Sequence, residues 1–213
     1  MAILEEMSAL LQKGRAAKVK ELVVQALEEG VSPEAILSEG LLSGMSIVGE
    51  KFKRNEVFVP EVLVAARAMN AGVELLRPYL VEAGVESKGV AVIGTVKGDL
   101  HDIGKNLVKM MLEGKGLEVH DLGVDVSAET FVQKAIEYNA KVICCSALLT
   151  TTMGEMKNVV EEAKKAGIRD QVKIMVGGAP ITQEFCDQVG ADYYTADGAS
   201  AGDVALKICL GEM

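Results

Sequence analysis

The stretch "GVAVIGTVKGDLHDIGKNL", residues 89–107, joins a short apolar run to a polar loop and then to a helical pattern. Residues 89–96 have the length and Val/Ile content of a strand buried on both faces. Residues 104–115 continue at helical period. A strand that feeds a helix through a glycine-containing loop is the first half of a βαβ unit, and such units build parallel sheets. The alternation recurs downstream. Apolar runs "LEVHDLG" (117–123), "KVICCSAL" (141–148), "VKIMVGG" (172–178) and "ADYYTA" (191–196) alternate with helical stretches at 128–138, 153–166 and 181–189.

Five strands interleaved with helices predict a flavodoxin-like (Rossmann-like), doubly wound, five-stranded parallel sheet of strand order 2-1-3-4-5. Ligands of such sheets sit beyond the carboxyl ends of the strands, at the switch point between strands 1 and 3. Three unusual segments are thereby predicted to meet at one edge: the loop around His101, "SALLTTT" (146–152), and Gly177–Gly178.

Upstream the period is helical. Leu10, Leu11, Val19, Leu22, Val23, Ala26 and Leu27 recur at helical spacing, in a first helical run that Gly30 closes. Ser32 and Pro33 form a cap and first position for a second helix. A third is expected through "LLSGMSIVGEKFKR" (41–54), and a fourth through 57–80, with Pro60 near its start and Pro78 near its end. Together they suggest a four-helix bundle. The polar segment 81–89 reads as a linker, so the expected domains are a helical cap, 1–84, and a sheet domain, 85–213.

Hydrophobic residues make up 49% of the 213, enough for a sizeable core, while aromatics are 4% and tryptophan is absent. The core must therefore be aliphatic. A net charge of −9 argues against a nucleic-acid partner, which needs a basic surface. No apolar run approaches the ~18 residues of a membrane span. The N-terminus lacks the basic and apolar segments of a signal peptide. Cys144, Cys145, Cys186 and Cys209 form no C-x-x-C pair and read as reduced core residues of a cytoplasmic protein.

The chain has two histidines. His120 lies inside the second predicted strand and reads as structural. His101 follows Asp99 by two residues, the arrangement in which a metal-binding imidazole donates its other ring N–H to a carboxylate. A loop histidine that merely bonds backbone remains an alternative reading. A phosphate-binding P-loop is excluded, because Gly98 to Gly104 is one residue too long and Asn106 stands where a hydroxyl is needed. A protein-only zinc site lacks ligands, and a His101–Asp102 hydrolase dyad lacks its further histidines. A metal here would have to bring most of its own ligands, as a macrocycle does.

Asp99-x-His101-x-x-Gly104, then 41 residues to Ser146-x-Leu148, then 28 residues to Gly177–Gly178, resembles the signature of cobalamin-binding domains. "GMSIVGEKFKRNEVFVPEVLVAARAM" (44–69) is similar to the helical cap of cobalamin-dependent methionine synthase and of the small corrinoid proteins of methyltransferase systems. The resemblance covers nearly the whole chain.

It implies that cobalamin or a related corrinoid (methylcobalamin in the methylated state) binds with His101 as the lower axial ligand of cobalt, in place of the cofactor's own base. Asp99 would accept from the other imidazole nitrogen. Thr152 stands where the family has the relay hydroxyl. Gly98, Leu100, Asp102, Ile103 and Gly104 would contact the cofactor along with that pair. Ser146 and Leu148 would line the slot for the nucleotide tail, which Gly104, Gly177 and Gly178 leave open. Thr150 would lie near the corrin edge, and Asp197 and Gly198 would close over the ring. In the cap, Phe52, Val59, Val62 and Met45 match the residues that cover the upper face, although bundle core explains them equally from the sequence.

The function implied is that of a methyl carrier in one-carbon metabolism. Its expected partners are a substrate:corrinoid methyltransferase, a methylcorrinoid:acceptor methyltransferase using tetrahydrofolate or a thiol, and a reductive activation protein. No catalytic module of another kind is recognisable, so the chain is expected to act as the corrinoid subunit of a multi-component methyltransferase, not as an enzyme alone. A cobalamin-dependent regulator would add a basic DNA-binding module. The small subunit of an adenosylcobalamin-dependent mutase would lack the cap.

Overall fold

The computed structural model describes residues 2–213. The chain divides into two compact units, a first up to Ser87 that also takes in Gly114–Gly116, and a second of Lys88–Glu113 and Leu117–Met213.

The first unit is all helical: α1 (Ala2–Gln12), α2 (Ala16–Glu28), α3 (Pro33–Ala35), a π-helical segment (Ile36–Leu42), α4 (Ser43–Lys53) and α5 (Val59–Glu82). The expected count of four rods holds, by two compensating differences. The first helical run is broken at Gly14 (φ +67), where a Cβ would fall 2.7 Å from Cβ of Val64. Conversely, the second and third expected helices form one rod, because the backbone passes from α3 to α4 through the π-helical turns. The caps follow the residue types. Ser32 Oγ accepts from the Ala35 amide at 3.2 Å. Gly30 (φ +79) terminates α2, with Val31 N–H returning to the Ala26 carbonyl at 2.9 Å. The last rod continues through Pro78 to Glu82, so Val81 and Glu82 belong to helix and not to the linker. Leu11, Val19, Val23 and Ala26 are buried, whereas Leu10, Leu22 and Leu27 are half-buried.

The second unit is the five-stranded parallel sheet, order β2-β1-β3-β4-β5, with β1 (Val90–Thr95), β2 (Glu118–Asp121), β3 (Val142–Ser146), β4 (Lys173–Gly177) and β5 (Tyr193–Tyr194). Five helices connect and follow the strands: α6 (Ile103–Glu113), α7 (Ala128–Glu137), α8 (Glu155–Lys165), α9 (Gln183–Val189) and α10 (Gly198–Leu210). The sheet has two cores because strand side chains alternate. Val92, Ile143, Cys145 and Ile174 pack with Phe131, Val160 and Cys186 from α7, α8 and α9. Ala91, Ile93, Cys144 and Met175 pack with Leu112, Ala205 and Ile208 from α6 and α10. The adjacent cysteines thus serve opposite faces as free thiols, and burial pushes Cys144 up to about 12. Gly94 leaves room for the Phe131 ring, which an added Cβ would meet at 2.8 Å.

Among the described residues, no helix is long and apolar enough to cross a membrane. His120 is held in the sheet unit by stacking on Tyr138 (centroids 3.6 Å apart) and by Glu118 at 2.9 Å. Replacing the fully buried Phe131 with alanine is expected to cost about 3–5 kcal/mol, read as a lowered denaturant midpoint of the sheet unit.

Candidate functional site

β1 and β3 are neighbours, with Thr95 opposite Ser146 at their carboxyl ends. The loops that leave them therefore emerge side by side. Asp99 lies between these loops with no exposed surface. Its Oδ1 accepts from the His101 amide at 3.0 Å and stands 2.7 Å from His101 Nδ1. Its Oδ2 accepts from the amides of Leu148 (2.8 Å) and Leu149 (3.1 Å) and from Thr152 Oγ1 (3.0 Å). Burial alone would raise this carboxyl. The donors from His101, Leu148 and Leu149 outweigh it and hold Asp99 well below the usual carboxylate range.

An ionised carboxylate is an acceptor only, so Nδ1 of His101 must be the nitrogen that carries the proton. In the neutral ring that leaves Nε2 bare. The side chain is 51% exposed, which makes Nε2 available to a ligand beyond the sheet edge. Thr95 Oγ1 donates to the His101 carbonyl at 2.8 Å and fixes the main chain at the same residue. Asp102, the other neighbouring acid, accepts instead from the Asn106 side chain at 3.1 Å, in the first turn of α6.

The remaining sequence-derived positions fall into distinct settings. Leu100, Ile103 and Leu148 are exposed apolar side chains around the histidine, at 72%, 77% and 43%. Ser146 is half-buried at the end of β3, and Thr150 is exposed. A Cβ on Gly104 would meet nothing within 4 Å, and one on Gly177 only the Thr195 carbonyl oxygen at 3.8 Å. Gly178 has a different reason to be glycine: its φ is +134, and a Cβ would overlap the Ala147 carbonyl oxygen. Gly98 also adopts a positive φ, +81. Asp197 caps α10, with its two oxygens engaged by the amide and hydroxyl of Ser200 at 2.8 and 2.7 Å. A Cβ on Gly198 would make only ordinary contacts, 3.5 Å from the Leu107 side chain and 3.6 Å from the Val108 backbone of α6. In the helical unit Met45 and Val62 are buried, and Phe52 and Val59 half-buried.

Sequence reasoning missed the amides of Leu148 and Leu149, because residue type does not announce a backbone donor. It also missed the pair Lys105–Asp121 (2.6 Å), in which the lysine is 3% exposed. The available signal was Lys105 and Lys109, four residues apart on one face of α6, with Lys109 also 3.7 Å from Asp121.

Among the described residues, no group of three or more His, Cys, Asp or Glu could hold a metal by itself. A single bare imidazole nitrogen, a rim of exposed apolar side chains and free space at Gly104 suit a metal that arrives inside a large apolar macrocycle.

The Asp99 carboxylate gives the site a pH dependence. Its folded-state pKa is depressed, so its stabilisation is fully present above the ordinary carboxylate value near ~4 and is lost as pH falls below it. Asp99→Asn would turn an NH2 group toward amide or ring donors. It is expected to lose about 2 kcal/mol or more at neutral pH and to flatten the acid limb of a stability-versus-pH curve below ~pH 4.

Comparison with known proteins agrees with this architecture. The B12 binding domain family matches residues 89–204, and a second B12 binding domain family matches residues 3–77. Trimethylamine corrinoid protein 1 of Methanosarcina acetivorans is 47% identical over 190 residues, 88% of this chain and 87% of its own length. Dimethylamine corrinoid protein 2 of the same organism is 45% identical over the whole of both chains. A chain in the crystal structure of the methanol:cobalamin methyltransferase complex of Methanosarcina barkeri superposes with a TM-score of 0.89 at 30% identity, covering 99% of this chain and 80% of that one. With both units matched and relatives at this identity over nearly its full length, the chain belongs to the B12-binding corrinoid proteins of methyltransferase systems.

Proposed function

We propose that this chain is the methyl carrier of a methylamine-class methyltransferase system, holding its corrinoid through His101. The observation that carries the reading is the 2.7 Å contact between His101 Nδ1 and the buried Asp99, which leaves one imidazole nitrogen bare beside open space at Gly104. The bound corrinoid supplies a cobalt centre able to accept a methyl group from one partner and release it to another.

The protein's part is to bind, orient and tune. His101 Nε2 would hold the cobalt of the corrinoid, and Asp99 keeps the proton on Nδ1, which fixes the tautomer and orientation of the ring. Asp99 is held too acidic to take that proton. Thr152 Oγ1 has one proton and two acceptors at 3.0 Å, Asp99 Oδ2 and the Leu149 carbonyl, so it supports the carboxylate without passing a proton through it. Gly104, Ser146, Leu148, Gly177 and Gly178 belong to the slot for the nucleotide tail. Leu100, Ile103 and Thr150 would meet the corrin, and Asp197 and Gly198 would set the helix start beside it.

The methylamine class is supported by the relatives at 45–47% identity, which are trimethylamine and dimethylamine corrinoid proteins. The partners are then an amine:corrinoid methyltransferase, an acceptor methyltransferase and a protein that restores the reduced cofactor.

Two outcomes test this. His101→Ala, loaded with cobalamin, is expected to lose the histidine-ligated absorption and electron-resonance features of the wild type, and a wild-type spectrum would remove His101 as ligand. The reduced, loaded chain is expected to become methylated when supplied with a methylamine methyltransferase and its amine. Methylation only with a methanol partner would contradict the proposed class.

A further inference from the structure

The residues between β2 and α7 brace the histidine loop from beneath. Thr95 N–H donates to the Gly123 carbonyl at 3.0 Å, and Val126 N–H donates to the Thr95 carbonyl at 2.9 Å. Val96 and Val126 add an isolated parallel bridge. Beyond that bridge Asp125 makes two bonds of another kind. Its Oδ1 accepts from the Gly98 amide at 2.7 Å, and its own N–H donates to the Asp99 carbonyl at 3.0 Å. Together they hold the chain at the Gly98 amide, just before residue 99, and at the carbonyl of residue 99 itself.

Asp125 sits at φ +53, a left-handed conformation that Asp and Asn tolerate better than other residues with a side chain. It is exposed and contributes nothing to either core of the sheet unit. The Gly98 amide is on the surface as well and could be satisfied by water. The side-chain bond is therefore not needed to bury a polar group, whereas the Asp125 N–H satisfies the carbonyl of buried Asp99. What they do set is the position of the Asp99 backbone, and five hydrogen bonds of 2.7–3.1 Å to its carboxylate depend on that position.

The same segment is anchored at its start. Asp121 Oδ1 accepts from the Gly123 amide at 3.0 Å and from Lys105 Nζ at 2.6 Å, in the first turn of α6. The β2–α7 loop therefore holds the histidine loop at its entry through Asp125 and at its exit through Lys105.

We infer that Asp125 is a positioning residue for the axial histidine: it fixes Asp99, and through Asp99 the tautomer and orientation of the His101 ring. The consequence for cobalt rests on the corrinoid reading above, whereas the effect on the ring does not.

The test compares Asp125→Gly, which removes the side chain without strain at a positive φ, with Asp125→Asn, which keeps an acceptor oxygen. Ring nitrogen shifts of His101 in the cofactor-free, nitrogen-15-labelled protein report the tautomer, with His120 as internal reference. The glycine variant is expected to lower the ratio of Nδ1–H to Nε2–H tautomer about threefold to tenfold, as loss of one charge-assisted hydrogen bond allows. Its thermal midpoint should stay near that of the wild type, and the asparagine variant should restore the ratio. In the cobalamin-loaded proteins the histidine-ligated fraction should follow the same order.

A wild-type tautomer ratio in the glycine variant would overturn the inference, as would an asparagine variant as impaired as glycine. If wild-type protein failed to bind cobalamin while the tautomer ratio still followed residue 125, the functional reading would fall and the clamp would stand.

Discussion

The site depends on one buried anion. Asp99 has no exposed surface, and a carboxylate out of water is tolerated only when donors replace its hydration. The donors come from separate parts of the chain. The His101 amide and ring follow β1, while the amides of Leu148 and Leu149 and the hydroxyl of Thr152 follow β3. Satisfying one side chain therefore fixes two loops relative to each other. It also orients the imidazole, because the only place for the Nδ1 proton is toward that carboxylate. The electrostatics of the site and the conformation of its loops are a single constraint.

The parallel sheet makes the constraint possible. β1 and β3 are adjacent although a helix, a strand and another helix separate them in sequence. Their carboxyl ends point the same way, and the helices leave in opposite directions across the two faces. α6 and α10 cover one face, while α7, α8 and α9 cover the other. The edge between them is where loops diverge and a flat ligand can enter. Leu100, Ile103 and Leu148 are exposed apolar side chains in the loops at this edge.

Much of this was readable from residues 89–107. Strand, loop and helix followed from period and glycine placement, and the His–Asp pair is local, two residues apart. Strand order followed from the alternation, because few topologies suit five such units. The helical half was less legible. The break at Gly14 falls between Leu11 and Val19, which still share a helical spacing, and the π-helical turns at Ile36–Leu42 carry residues that also suit an α-helix. Thr152 came from family resemblance, since nothing in the spacing of a hydroxyl 53 residues from Asp99 predicts a hydrogen bond. The clamps by Leu148, Leu149 and Asp125 were invisible for a further reason. They depend on backbone donors and on one left-handed residue, and a sequence records side chains.

The most direct test of the account is electron spin resonance of the cobalt(II) form, using protein grown with nitrogen-15 histidine and loaded with unlabelled cobalamin. The axial nitrogen splitting should change from the triplet of nitrogen-14 to the doublet of nitrogen-15, because the donor is an imidazole of the chain. An unchanged triplet would mean that the cofactor keeps its own base, and the role assigned to the Asp99–His101 pair would be wrong.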